Sequence, residues 1–213
     1  MVPYVIALII AYAIGSINFS VILSKKMAGF DVREKGSGNA GTTNMLRSVG
    51  RKAAIYTLLL DILKGIVAIF IAIVIGWIAS NSNRALLVQI AAIAVILGHT
   101  FPIFFEFKGG KGIATSLGVI LLVNWQIGLI CLIFALVLMA LTKMVSVGSC
   151  AAAILFPVLT LFSAQFGQYY IVREGSRYFI FSVLLAALVL FNHRANIKRI
   201  MEGKENKLNF SKK

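Results

Sequence analysis

Apolar runs long enough to cross a lipid bilayer recur along most of this chain. A membrane-spanning α-helix needs about 20 mostly apolar residues, because it must cover the thickness of the hydrocarbon core. The candidate spans are residues 3–23, 53–80, 85–105, 126–141, 147–166 and 177–191. This recurrence predicts an all-α, polytopic integral membrane protein.

The composition supports a membrane protein and argues against a soluble one. Hydrophobic residues make up 60% of the chain, charged residues only 13%, and the mean hydropathy is +0.93. A soluble domain carries about 25% charged residues. The first run has no basic leader and no small-residue cleavage site, so we expect it to be a span rather than a signal peptide. We expect a single domain over residues 1–213, ending in a polar, frayed tail at 202–213.

The distribution of basic residues predicts the orientation in the membrane. Seventeen of the 21 Lys and Arg residues lie at 25–52, 108–111, 143 and 194–213. Short basic loops face the cytoplasm, so these four segments should share that side. If the short apolar run 113–123 crosses, the chain has about seven spans, with the N-terminus outside and the C-terminus cytoplasmic. Five or six crossings keep the basic segments together only if 113–141 is a re-entrant hairpin or fewer segments cross. We favour seven.

The first polar segment, residues 33–47, reads REKGSGNAGTTNMLR. Gly36, Gly38 and Gly41 allow sharp turns that point successive N–H groups inward, as in an anion-binding nest. Arg47 could bind a phosphate through two parallel hydrogen bonds. The alternative is a flexible polar turn. The other donors and cations of the segment are Arg33, Lys35, Ser37, Asn39, Thr42, Thr43 and Asn44.

The second polar segment, residues 98–112, reads GHTFPIFFEFKGGKG. Its GGKG ending lacks the Ser or Thr and the preceding strand of a nucleotide phosphate loop, which excludes an ATPase of that class. Gly109, Gly110 and Gly112 could still let Lys111 and backbone amides reach a phosphate. A helix beginning at Gly112 would aim its positive end at the same anion. Pro102 should break the preceding span.

Two further polar sets lie near the ends of later spans. Ser146 and Ser149, which follow Lys143, are three residues apart and would share one helix face. Packing by small residues explains them equally well. His193 and Asn196 have the same spacing and would point together from a helix end, whereas a stop-transfer cluster explains only the basic residues around them.

Ionisable residues inside the spans are few. Asp61 and Lys64 lie three residues apart in the second span, so we expect an internal ion pair with a structural role. His99, one turn inside the third span, either hydrogen-bonds another helix or belongs to a site. Cys131 and Cys150 lie in apolar runs and show no disulfide or metal-ligand spacing.

These segments, in this order, resemble the bacterial acyl-phosphate:glycerol-3-phosphate acyltransferase family (PlsY). The matching stretches are GSGNAGTTNMLR, LLLDILKG, GHTFPIFFEFKGGKG, KMVSVGS and HRANIKRIMEGKE. The resemblance implies a plasma-membrane (inner-membrane) enzyme of seven helices whose active site faces the cytoplasm. It would transfer an acyl group from acyl phosphate to the 1-hydroxyl of glycerol 3-phosphate in phospholipid biosynthesis. It implies no cofactor and no metal, and a functional link to an enzyme that makes acyl phosphate.

The resemblance also implies roles for individual residues. Ser37, Asn39 and Lys111 would bind the phosphate of the acyl donor, and Arg47, Ser149 and His193 would hold glycerol 3-phosphate. Asn196 would orient a substrate or the developing oxyanion. The proton acceptor stays open between His193 and the leaving phosphate. Glu205 is expected to be structural. The remaining predicted substrate-binding residues are Gly36, Gly38, Gly41, Thr43, Asn44, Gly109, Gly110, Gly112 and Ser146.

The residues also bear on competing functions. No nucleophile elbow is present, and no HxxxxD motif, since the fifth residue after His99 is Phe104 and after His193 is Lys198. An acyl phosphate is already activated, so the reaction needs no acyl-enzyme. A transporter of organic phosphate is the main alternative. Against it, the polar motifs gather on one predicted side, and only Asp61 and Lys64 lie deep in a span. A membrane scaffold with basic loops is the third possibility.

Overall fold

The computed structural model of this protein describes residues 1–80, 83–162 and 175–208. Every regular element in these ranges is helical, as predicted, and two short 3₁₀ turns cover Val32–Glu34 and Ile103–Phe105. The α-helices are α1 (Val2–Gly15), α2 (Phe19–Ala28), α3 (Thr42–Ser48), α4 (Arg51–Ile78), α5 (Arg84–Thr100), α6 (Ile113–Val123), α7 (Trp125–Thr142), α8 (Val145–Leu161), α9 (Gly175–Asn192) and α10 (Arg194–Met201).

Several helical segments are long and apolar enough to cross a membrane. Within the described ranges there are four of them, Val2–Ala28, Arg51–Ile78, Arg84–Phe105 and Trp125–Thr142. Tyr178–Asn192 and α10 make a fifth if this pair, bent by 63°, is one span. α6 and α8 are shorter apolar helices. The prediction of several membrane-spanning helices is confirmed, while the count of seven and the orientation of the termini stay predictions.

The first predicted span, residues 3–23, is present but is not one continuous helix. It breaks between α1 and α2, where the Asn18 side chain accepts a hydrogen bond from the α2 backbone at 3.3 Å. Lys64 Nζ donates to the carbonyl oxygens of Gly15 and Ile17 at 3.1 and 2.9 Å. Apolar length alone does not reveal this break, because its cause is a cap and a distant cation.

The other predicted ends agree better with the structure. α5 ends at Thr100, shortly before Pro102, and α6 begins at Ile113, directly after the GGKG sequence. α8 ends at Leu161, and residues 163–166 of the fifth predicted span lie outside the described residues.

The chain divides into two compact units, Met1–Val123 and Asn124–Lys213. The single-domain organisation stays a prediction. In the first unit, glycines let helix backbones approach closely. A Cβ on Gly15 of α1 would overlap the α5 backbone at Val95, and one on Gly65 of α4 would lie 2.5 Å from the Thr115 carbonyl oxygen in α6. Small residues at helix contacts are typical of membrane helix packing.

A small apolar cluster anchors the first polar segment. Its buried members come from α2, the turn after it, the glycine-rich loop, α3 and the start of α4. They are Val21, Val32, Ala40, Met45, Ala53 and Ala54. Phe105, from the second polar segment, packs against the same cluster. This buried apolar cluster therefore anchors the exposed glycine-rich loop.

The second unit packs α7 and α9 on α8. Phe156 of α8 meets the rings of Tyr178 and Phe181 of α9 edge-on, with centroids 6.1 and 6.4 Å apart. Part of the polar tail makes contacts within the second unit, since the Leu208 N–H donates to the Lys143 carbonyl oxygen at 2.7 Å and Glu205 is buried against α8 and α10. Residues 209–213 lie outside the described residues, and the fraying of the tail stays a prediction.

Candidate active site

Asn44 organises the first polar segment from inside. Its side chain is 1% exposed, and its Nδ2 donates to the carbonyl oxygens of Val32 and Lys35 at 2.8 and 3.0 Å. Its Oδ1 accepts the Ser37 N–H at 2.9 Å and contacts Ser48 Oγ at 3.4 Å. Both donors and both acceptor sites of this amide are therefore used within the loop. Asn44, predicted to bind substrate, is a positioning residue in this arrangement.

The glycines of the first segment make turns rather than a continuous nest of amides. Gly36 and Gly38 have φ values of +61° and +70°, which L-residues rarely adopt. The N–H of Gly38 donates to Lys35 O and that of Gly41 to Asn39 O, both at 3.1 Å. The prediction of an anion-binding nest is therefore incorrect for the N–H groups of Ser37, Gly38 and Gly41, because each of them donates to an acceptor within the same segment.

The Arg33 side chain makes structural contacts within the protein. Its guanidinium binds both oxygens of Asp31, at 3.0 and 2.8 Å, and donates to the carbonyl oxygens of Phe105 and Lys108 at 2.9 and 3.4 Å. The hydrogen bond from Arg33 holds the pKa of Asp31 below its usual value. Arg33 thus connects the first polar segment to the second. The prediction that its charge serves the substrate is incorrect, since Asp31 neutralises it.

The second polar segment meets the first at Gly110. A Cβ on Gly110 would overlap His99 Nε2 and lie 2.5 Å from the Ala40 carbonyl oxygen, so only glycine fits there. The Gly109 and Gly110 N–H groups donate to the carbonyl oxygens of Thr100 and His99, both at 3.1 Å. These two amides, predicted to reach a phosphate, instead hold the loop on the end of α5.

The remaining predicted groups of the first unit are side chains of the two polar segments, with Thr43 and Arg47 in α3. Ser37 and Arg47 are exposed, and Asn39, Thr43 and Lys111 are partly buried. Gly112, with φ of +85°, turns the chain into α6 directly after Lys111. The structure therefore presents hydroxyl, amide and cationic side chains on two loops that contact each other.

In the second unit, Glu205 connects α8 to α10. Its Oε1 accepts from Ser146 Oγ at 2.9 Å and from Asn196 Nδ2 at 2.7 Å, and its Oε2 lies 2.9 Å from Arg199 Nε. Burial raises the pKa of Glu205, but these hydrogen bonds outweigh it and the pKa lies below its usual value. Ser146, predicted to contact substrate, donates to this carboxylate, and Ser149 is buried on the same helix.

His193 stands at the junction of α9 and α10. Its Nδ1 lies 2.8 Å from the Val189 carbonyl oxygen, which can only accept a hydrogen bond. This contact favours the tautomer with the proton on Nδ1, so Nε2 is the atom able to accept a proton. His193 precedes α10 and Asn196 lies within it, so the prediction that both project from one helix end is only partly correct.

Sequence reasoning missed one residue that organises the site. Asp31 had no predicted role, but its carboxylate holds Arg33, which joins the two polar segments. Its position two residues before Arg33, at the start of a turn, was the available signal.

The helices described above are those of an integral membrane protein, and exposed and partly buried hydroxyl, amide and cationic side chains lie on its two polar segments. The sequence model described as Glycerol-3-phosphate acyltransferase matches residues 5–203. The chain belongs to this family of membrane acyltransferases, which act in phospholipid biosynthesis.

Relatives and solved structures agree with this membership. The glycerol-3-phosphate acyltransferase of Thermoanaerobacter pseudethanolicus is 44% identical over 204 residues, covering 96% of this chain and 95% of the relative. That of Clostridioides difficile is 40% identical over 205 residues, covering 96% and 95%. The crystal structure of PlsY, an integral membrane glycerol 3-phosphate acyltransferase, in its glycerol 3-phosphate form has a TM-score of 0.83 at 32% identity, covering 97% of this chain and 96% of that one. Its lysophosphatidic acid form has a TM-score of 0.80 at 31% identity, covering 97% and 95%.

Proposed function

We propose that this enzyme transfers the acyl group of acyl phosphate to the 1-hydroxyl of glycerol 3-phosphate, giving lysophosphatidic acid and inorganic phosphate. The observation that carries the proposal is the contact between the two polar segments, which bear Ser37, Asn39, Arg47 and Lys111. Both substrates carry a phosphate, and hydroxyl, amide and cationic side chains are suitable ligands for its oxygens.

The reaction forms one ester bond and breaks one anhydride bond. The glycerol hydroxyl attacks the acyl carbon, and the C–O bond to phosphate breaks with its electron pair leaving on phosphate. Ser37, Asn39 and Lys111 bind the donor phosphate, and Lys111 offsets the charge that develops on it. Arg47, Ser149 and His193 hold glycerol 3-phosphate, and Asn196 orients a substrate or the oxyanion. Gly36, Gly38 and Gly41 shape the first loop, and Gly109, Gly110 and Gly112 the second.

The hydroxyl proton has two possible acceptors, the leaving phosphate and His193. The tautomer favoured by the Val189 contact makes Nε2 of His193 chemically competent as a base. If it is the base, His193→Ala lowers kcat by about 100-fold or more, the usual contribution of general base catalysis. A variant that keeps near wild-type kcat but has a raised KM for glycerol 3-phosphate assigns the proton to phosphate and a binding role to His193.

The enzyme acts at the cytoplasmic face of the bacterial plasma membrane and takes acyl phosphate from a separate phosphate acyltransferase. The basic loops support this orientation. Single cysteines introduced at Lys26 and Lys207, in a background without Cys131 and Cys150, should react with a membrane-impermeant thiol reagent only from the cytoplasmic side. Labelling from opposite sides would refute the arrangement.

The decisive assay uses the purified protein in detergent with acyl phosphate and glycerol 3-phosphate. Phosphate release should require both substrates and should match the lysophosphatidic acid formed. Acyl-CoA should not replace the donor. Lys111→Ala should lower kcat/KM for acyl phosphate, whereas Lys26→Ala, a cation of α2, should leave it unchanged. Uptake of organic phosphate into vesicles without phosphate release would indicate a transporter instead.

A further inference from the structure

A group of three buried ionisable side chains lies within the helices of the first unit, and the proposed reaction does not use this group. Asp61, Lys64 and His99 are 2%, 3% and 5% exposed. Asp61 Oδ1 lies 2.9 Å from Lys64 Nζ and 3.5 Å from His99 Nδ1. Ionisable groups within membrane-spanning helices are costly and usually functional. The distances confirm the predicted Asp61–Lys64 ion pair and show that His99 lies beside it.

One end of this group is fixed to the break in the first span. Lys64 donates to the carbonyl oxygens of Gly15 and Ile17, and its Nζ lies 5.6 Å from the centroid of the Phe19 ring. Carbonyl groups at a helix end carry partial negative charge, which favours a cation there. Lys64 is thus held from two sides, and it fixes the Asp61 carboxylate next to it.

The other end lies against the loop that carries Lys111. His99 Nδ1 lies within 3.5 Å of Asp61 Oδ1 without a formed hydrogen bond, and on its Nε2 side the ring lies against Gly110, where a Cβ would overlap Nε2. Ala40 O bounds Gly110 as well, and the Gly110 N–H donates to His99 O. Gly110 therefore has little room to move, and the imidazole lies directly against the residue that precedes Lys111.

We propose that His99, oriented by the Asp61–Lys64 pair, is a positioning residue that sets the GGKG loop so that Lys111 meets the phosphate of the acyl donor. This inference rests on the proposed function, because Lys111 is assigned to the donor there. His99 and Asp61 act through Gly110 and do not touch substrate. A displacement of a binding group by about 1 Å can lower a rate by up to about 100-fold, so a small rotation of the ring is sufficient.

The test measures both substrates for Asp61→Asn and His99→Gln, purified in detergent. Each variant should lower kcat/KM for acyl phosphate by about 10- to 100-fold and leave the KM for glycerol 3-phosphate within about twofold of wild type. Thr57→Ala is the matched control. Thr57 is buried in α4, one turn before Asp61, and its hydroxyl donates to Ala53 O in the same helix. It should leave both parameters unchanged.

A double-mutant cycle separates positioning from a general loss of stability. If Asp61 acts through Lys111, then Asp61→Asn has no further effect in a Lys111→Ala background, because the effects of coupled residues are not additive. Multiplying effects, or equal losses for both substrates, would overturn the proposal. So would a failure of both Asp61→Asn and His99→Gln to give a folded, monodisperse protein, the result expected of a purely structural group.

The activity of Lys111→Ala distinguishes a failure of the proposed function from a failure of the positioning role of His99. Full activity of that variant would remove Lys111 from the donor site and the positioning proposal with it. A loss in Lys111→Ala without any loss in Asp61→Asn or His99→Gln would leave the proposed function intact and refute only the role of His99.

Discussion

Replacing Asn44 with alanine should impair use of the acyl donor without unfolding the protein. The substitution removes three well-formed hydrogen bonds, to Val32 O, Lys35 O and Ser37 N, at 2.8, 3.0 and 2.9 Å. Each contributes about 0.5–1.5 kcal/mol net, so their sum is about 1.5–4.5 kcal/mol. The apolar cluster still anchors both ends of the loop, which favours the lower end of this range. Because 1.36 kcal/mol corresponds to tenfold in rate, we expect kcat/KM for acyl phosphate to fall by about tenfold or more.

The same site provides a graded series and a control. Asn44→Asp keeps an acceptor for Ser37 N–H but places oxygen against two carbonyl groups, so its loss should equal or exceed that of alanine. Ser48→Ala removes only the 3.4 Å contact to Asn44 Oδ1 and should have an effect of less than about twofold. Melting in detergent should fall by about 3–6 °C at the lower end of that range, because Asn44 lies in α3, which packs on α4, and each kcal/mol shifts the melting of a chain of this size by about 2–4 °C. An Asn44→Ala enzyme within about threefold of wild-type kcat/KM would refute the argument that this amide sets the loop shape.

Three further predictions concern packing, charge and pH. Gly98→Ala should lower the melting temperature by about 4–8 °C, since overlap with the α1 backbone costs about 3 kcal/mol and exceeds a helix-propensity gain of about 1 kcal/mol. Gly76→Ala, whose added Cβ would lie 3.3 Å from the flexible Arg84 side chain, should be neutral or stabilising. Arg33→Lys should lower kcat/KM for acyl phosphate with little change in melting temperature, because lysine cannot bind both Asp31 oxygens and the second polar segment at once. An unchanged kcat/KM would contradict the role of Arg33 in joining the two segments. The pKa of Glu205 in the folded protein is depressed below 4.5, so the Glu205 carboxylate stabilises the fold fully above about pH 4.5, and this stabilisation is lost as the pH falls through the folded pKa. The difference in melting temperature between wild type and Glu205→Gln should therefore disappear in acid. A difference that persists there would refute the role of the charge.

Short-range features of the site could be predicted from the sequence because their physical causes are local. Asp61 and Lys64 are three residues apart in a helix, and in lipid each has a strong reason to pair with the other. Ser146 and Ser149 share a helix face for the same geometric reason. Pro102 and the glycines around Lys111 indicated the end of α5 and the start of α6, and the structure places both there.

Features that depend on distant partners could not be predicted in the same way. Glu205 binds Ser146, 59 residues away, and no local pattern reports such a contact. Whether the Ser37 N–H points outward is decided by Asn44, seven residues later. The charge of Arg33 appeared available because the sequence does not show that Asp31 turns back towards it. Counting donors and cations therefore overestimated how many remain for a ligand.

The bent first span has a consequence for how the protein is made. Its break leaves the carbonyl groups of Gly15 and Ile17 to be satisfied by Lys64, which lies 49 and 47 residues further along the chain. An unsatisfied carbonyl in hydrocarbon costs several kcal/mol. During biosynthesis Lys64 can bind these carbonyl groups only after the second span has left the ribosome. The first span therefore reaches its final bent shape together with the second span.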